Sequence, residues 1–143
     1  MSYKKQLRGV AQYVRGSAEA SVLEASPHQL IEMLYKSLLG RLAAAKGAIQ
    51  RADTILATQS INRAQSILIE LRTSIDFEKG GEVVQNLDDL YEYCGRKLVD
   101  GMASNNIDMI DEVINLIKPI AEAWSVIKKE AEEILAKRET ESG

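Results

Sequence analysis

Between Gly80 and Asn106 the apolar residues Val84, Leu87, Tyr91, Cys94 and Leu98 recur at steps of three, four, three and four. Only an α-helix gathers that spacing onto one face. Val83, Leu90 and Met102 widen the face beyond the narrow seam of a two-stranded coiled coil, so neighbours must cover it on more than one side, as in a helical bundle. Tyr93 and Val99 fall away from the stripe, which leaves two apolar side chains outside the packed face.

The rest of the chain repeats this pattern. Ser26-Pro27-His28-Gln29 is a helix start, with a capping serine, a proline at the first helical position and a glutamine that completes a capping box. It predicts a helix over 26–52 with Leu30, Ile31, Leu34, Tyr35, Leu38, Leu42, Ala45 and Ile49 facing inward and Met33 opposite. The rhythm lapses from Arg51 to Ser60, so the next helix is placed over 59–78, with Ile61, Ala64, Ile67, Leu68, Leu71 and Ile75 inward and Ile69 and Phe77 outward. Gly80-Gly81 stops it, and the opening stretch supplies a third helix over 82–104. After Ser104-Asn105-Asn106, Asp108, Asp111 and Glu112 crowd the positive end of a fourth helix over 107–135, whose inner side is Ile110, Val113, Ile114, Ile117, Ala121 and Trp124. Pro119 lacks the backbone donor and predicts a bend or a restart near Asn115. Residues 1–22 carry Lys4, Lys5, Arg8 and Arg15 beside a thin edge of Leu7, Val10 and Val14, which suits a mobile cap. The expected fold is all-α: one domain over 1–143, an antiparallel four-helix bundle with a short N-terminal helical cap and a helical C-terminal extension that frays.

Several function classes fit poorly. A net charge of -3 lacks the basic face of a nucleic-acid binder. No apolar run reaches the roughly 20 residues needed to span a bilayer, and no apolar leader precedes a cleavage site; the expected location is the cytosol, without membrane insertion. Cys94 is the only cysteine and sits on the buried stripe, so it reads as core. His28 is the only histidine and is read as a surface residue at a helix start, not at the exposed middle of a bundle helix that phosphotransfer requires. With no second histidine and no activated cysteine, neither a metal site nor a nucleophile pair assembles. Asp88-Asp89 and Glu132-Glu133 splay as solvated neighbours, and Gly80-Gly81 lacks a phosphate-loop sequence. No enzyme activity and no cofactor are expected.

Four pieces of sequence occur together: Ala25-Ser26-Pro27-His28-Gln29-Leu30-Ile31 running into Met33-Leu34-Tyr35; Asn86-Leu87 with Leu90-Tyr91-Glu92-Tyr93; Glu112-Val113; and Ala123-Trp124. In this order and spacing they resemble the FliS family of flagellar export chaperones, over residues ~10 to 127. The resemblance implies a cytosolic helical bundle that binds the disordered C-terminal segment of flagellin, blocks premature filament assembly and presents the subunit to the flagellar type III export gate, with other flagellar regulators as further partners. It also implies an N-terminal segment that covers part of the client groove, with Tyr13 at its aromatic position. Lys36-Ser37, Gly101-Met102, Pro119 and the charged tail depart from the family pattern.

The expected client contacts are the apolar positions left outside the core, Ile69, Tyr93 and Val99, flanked by Leu116, with Tyr13 on the cap. Leu87, Leu90 and Tyr91 belong mainly to the core and are counted with the client contacts, the Tyr91 hydroxyl lying at the groove edge. The alternative is a generic helical adaptor or homodimerisation module.

Overall fold

Two corners of the fold are built alike, and they set the register of the bundle. Helix α1, Pro27–Gln50, ends on Arg51, and Ala52 follows in the left-handed region at φ 57°. The Ala52 N–H donates to the Ile49 carbonyl and the Asp53 N–H to the Ala48 carbonyl, the bond pair that closes a helix over a left-handed residue. Asp53 at once caps α2, Thr54–Thr73, its carboxylate accepting from the Leu56 N–H at 3.1 Å. At the other corner Asn105 holds the left-handed position, φ 51°, after α3, Phe77–Ser104. Here the Asn105 N–H donates to Met102 and the Asn106 N–H to Gly101. The Asn106 side chain then accepts from the Asp108 N–H at 3.0 Å in the first turn of α4, Ile107–Ser142. Gly101 allows this closure, because a Cβ on it would lie 3.0 Å from Ile110 Cδ1 and 3.3 Å from the Asn106 carbonyl oxygen.

The computed structural model describes residues 25–74 and 77–142, with side chains over 25–74 and 81–127. The expected cap over 1–22 with Tyr13, and the positions of Ile75 and the Phe77 side chain, lie outside these residues. α1 opens on the expected capping box, Ser26 Oγ accepting from the Gln29 N–H at 3.2 Å and Gln29 Oε1 from the Ser26 N–H at 2.8 Å. α2 starts and stops earlier than the expected 59–78, because a three-residue turn at Arg51–Asp53 already reverses the chain and Ser74 caps the far end. Within α3, Gly81 adopts φ 56° and ψ -133°, a conformation that glycine alone enters readily, and the regular helix continues from Glu82. α4 does not restart at Pro119. Pro119 and Asn115 are both exposed, so the carbonyl freed by the missing N–H lies on the water side.

Each helix packs on its neighbours in sequence, and α4 closes the ring on α1. The cross-links are antiparallel. The start of α1 meets the later part of α4 at His28 and Trp124, and the end of α1 meets the start of α4 where Lys46 Nζ lies 2.8 Å from Asp111 Oδ1. The core is aliphatic: Leu34, Leu38 and Leu42 from α1, Ile67, Leu68 and Leu71 from α2, Tyr91, Cys94 and Leu98 from α3, and Ile110, Val113 and Ile117 from α4. Burial pushes the Cys94 thiol up to about 11, away from thiolate chemistry at neutral pH.

Four sequence expectations change. Val83, assigned to the stripe, is 75% exposed, and Met33, assigned to the outside, packs half-buried on the core. His28 is half-buried instead of lying on the surface. Its ring stacks on Trp124 with centroids 4.3 Å apart, and Trp124 Nε1–H donates to the His28 carbonyl at 3.0 Å. Asp88 is not a solvated carboxylate: it receives both Arg72 Nε at 2.7 Å and Nη2 at 3.2 Å, tying the end of α2 to the early turns of α3.

Candidate functional site

Beside the core stripe, α2 carries a second row at helical spacing, Gln65, Ile69 and Arg72, next to Ile61 and Leu68 of the stripe itself. α3 carries the facing row of Tyr91, Glu92, Gly95, Val99 and Met102. Between them runs an open groove of about 690 Å³, with Asn62, Arg96 and Ala103 completing its lining. The floor is core: Leu68 and Tyr91 are 2% and 1% exposed. The lips are not, since Ile69 and Val99 stand 59% and 56% exposed on opposite helices. Large apolar side chains on both lips of one concave surface make a patch rather than scattered exposure.

Polar contacts fix the groove's shape. At mid-length Gln65 Nε2 donates to the Gly95 carbonyl at 2.7 Å, spanning the two helices. Gly95 makes room for this reach, because a Cβ there would stand 3.0 Å from Gln65 Oε1. One end is closed by the Arg72–Asp88 pair, while Arg96 on the rim pairs with the exposed Glu92 one turn back, at 3.3 Å. Beneath the floor, the hydroxyls of Tyr91 and Tyr35 hydrogen-bond at 2.5 Å. Burial raises both phenols above the usual tyrosine value, so each stays protonated and the pair is a neutral tie between α1 and α3.

That tie gives a prediction. Tyr91→Phe strands the Tyr35 hydroxyl in the core and should destabilise the fold by about 1–3 kcal/mol in urea unfolding, whereas Tyr35→Phe together with Tyr91→Phe should recover part of the loss. Equal destabilisation by the single and double variants contradicts the pairing.

The groove brings together Ile69, Tyr91 and Val99 of the expected contacts. It does not gather the others. Leu87, Leu90 and Leu116 are half-buried against the core and absent from the groove lining. Tyr93 turns to α4, where its hydroxyl donates to the Glu112 carboxylate and Lys97 Nζ sits 5.8 Å from its ring centroid. The acceptor Glu112 raises the Tyr93 phenol above its ordinary value. Ile61, Leu68 and Met102 line the groove although their periodicity marks them only as core, and Gln65, Gly95, Arg72 and Arg96 carry no apolar signal at all. The available clue is the spacing of each second row, one step round the helix from the core stripe. Among the described residues, no group of three or more His, Cys, Asp or Glu side chains is placed to hold a metal ion, and no helix is long and apolar enough to cross a membrane.

The described residues define an all-α protein, a four-helix bundle with an open apolar groove between its second and third helices. The family profile described as flagellar protein FliS matches residues 9–131. The chain is 37% identical over 124 residues to the flagellar secretion chaperone FliS of Salmonella typhimurium, covering 86% of this chain and 92% of that one. It is 39% identical over 121 residues to the flagellar secretion chaperone FliSB of Pseudomonas aeruginosa, covering 85% and 96%. With FliS of Campylobacter jejuni it shares 43% identity over 99 residues, 69% and 77% of the two chains. The chain belongs to the FliS family of flagellar secretion chaperones.

Proposed function

We propose that this bundle works in the cytosol as a flagellin chaperone without enzymatic activity. It holds the disordered C-terminal segment of flagellin in the α2–α3 groove, prevents premature polymerisation and hands the subunit to the flagellar type III export apparatus. The observation that carries this reading is the pair of exposed apolar lips, Ile69 and Val99, over the floor of Leu68 and Tyr91 in a member of this family. A groove walled by two helices offers few free backbone groups, because α2 and α3 spend theirs internally. A client entering it as an extended strand would leave its own N–H and C=O groups unpaired against apolar side chains, at a cost of about 1–3 kcal/mol each. The bound segment is therefore an amphipathic helix that satisfies its own backbone and presents apolar residues to the groove. Ordering it costs roughly 2–5 kcal/mol, which the apolar contact along the groove offsets. Ile69, Tyr91 and Val99 remain client contacts in this reading, joined by Ile61, Leu68 and Met102; Leu87, Leu90, Tyr93 and Leu116 serve packing.

Immobilised full-length protein tests the reading. It should retain flagellin and lose flagellin that lacks its C-terminal segment. Equal retention of the two rejects a C-terminal client site, and retention of neither rejects the flagellin assignment.

A further inference from the structure

The polar residues that line the groove are not all alike. Asn62, Glu92 and Arg96 are exposed on its rim, and Arg72 is held by Asp88 at one end. Gln65 is half-buried between Ile61 and Ile69, midway along the apolar stretch. Among the described residues its side chain makes a single hydrogen bond, Nε2 donating to the Gly95 carbonyl at 2.7 Å. A carboxamide offers two N–H donors and an acceptor oxygen, so one donor and Oε1 are left to water. Oε1 rests in the space that a side chain at 95 would fill, since a Cβ there would stand 3.0 Å from it. The bare glycine thus lets a neutral polar group cross the apolar groove from α2 to α3.

We propose that Gln65 sets the register of the client helix by requiring one uncharged polar side chain, a hydroxyl or a carboxamide, on the otherwise apolar face of that helix. The proposal rests on the α2–α3 groove being the client site. A helix seated there removes water from Gln65, and its own backbone groups are already satisfied within it, so only a side chain can replace that water. An apolar residue over Gln65 leaves the amide unpaired, which weakens binding about tenfold or more. A charged residue there brings an unpaired ion into an apolar groove, at a higher cost. Sliding the helix by one turn, about 5.4 Å, exchanges the matched residue for one three or four positions away and incurs the same penalty. Ile61, Ile69 and Val99 hold the helix without fixing where it stops, because apolar contact is non-directional. A single buried amide fixes register between paired helices in the same way, at some cost in stability.

Calorimetric titration of the full-length protein with a peptide from the C-terminal segment of flagellin tests this, each Ser, Thr, Asn and Gln of the peptide being changed to Ala in turn. Gln65→Met keeps the length of the side chain and removes its polarity, and Gln65→Leu is a second variant of the same kind. The Gly95 carbonyl keeps its bond within α3 in both, so the bundle should stay folded by circular dichroism. One peptide position should cost about tenfold in affinity with the wild-type protein and little with either variant, while the other positions cost the same with all three. Register is read separately with Val99→Cys and peptides carrying one cysteine at successive positions. A disulfide requires Cα atoms about 4.4–6.8 Å apart, so one peptide position should dominate the linked product. Adding Gln65→Met should spread the product to positions three and four residues away. The proposal is overturned if no polar position of the peptide distinguishes wild type from the Gln65 variants, or if the linked product stays on one position in both. Ile69→Glu with Val99→Glu separates the two readings. Peptide binding that survives this pair removes the groove and this proposal with it; binding that is abolished by the pair but shows no coupling to Gln65 overturns the register alone.

Discussion

Ile69→Glu combined with Val99→Glu should abolish flagellin binding while the protein stays folded. Both side chains are more than half exposed in the bundle, at 59% and 56%, and substitutions at such positions usually shift stability by less than about 0.5 kcal/mol. The bound state is different. A client helix in the groove removes both positions from water, so each glutamate forfeits about 1.5–3 kcal/mol of apolar burial and adds the cost of desolvating a carboxylate. The sum exceeds about 3 kcal/mol, which is more than a hundredfold in affinity. Ile55→Glu is the control, because Ile55 is 74% exposed on the same helix but is not part of the groove lining. It adds one of the double variant's two negative charges and should leave binding intact. Calorimetric titration with flagellin reads all three; wild-type affinity in the double variant would remove the groove from the account.

The second large effect concerns the fold. Leu71 is 1% exposed and belongs to the central cluster, one residue before the Arg72 that anchors α2 to α3. Leu71→Ala should cost about 2–5 kcal/mol in chemical unfolding, since the lost transfer energy is compounded by a cavity that close-packed helices only partly refill. A domain's total is about 5–15 kcal/mol, so the variant loses a large share of its stability, and binding with it. A loss below about 1 kcal/mol would mean that this part of the bundle collapses readily around the gap. The contrast between Leu71 and Ile69, two residues apart on α2, separates failure to fold from failure to bind.

How much of this could be read from the sequence depended on where the physical signal lay. Apolar periodicity reports burial directly, so the core residues of all four helices were legible, and so was the capping box at Ser26. The corners were less so. Ala52 takes a left-handed conformation without a glycine or asparagine to announce it, which hid the early start of α2, whereas the equivalent corner uses Asn105. Val83 obeys the stripe's spacing but lies two residues after the break at Gly81, where the helix has just begun and 75% of the side chain is exposed. Ile69 and Val99 stood out as apolar residues off the stripe and do line one groove from opposite helices; Tyr93 stood out for the same reason, but its hydroxyl draws it to Glu112 on α4. Exposure alone does not say which neighbour lies beside a residue. Gln65 and Gly95 were invisible because their role is a contact between helices, a side-chain amide reaching a carbonyl where a Cβ is missing.

The central claim is that the α2–α3 groove receives the client. It is tested most directly by following the methyl resonances of the full-length protein during titration with a peptide from the C-terminal segment of flagellin. The account predicts saturable shifts at Ile61, Leu68, Ile69, Val99, Met102 and Ala103, the methyl-bearing lining of the groove, with Ile55 and Val83 unmoved. Shifts centred on Ile55, on Val83 or on the exposed Val126 and Ile127 of α4, with the groove methyls unchanged, would contradict it.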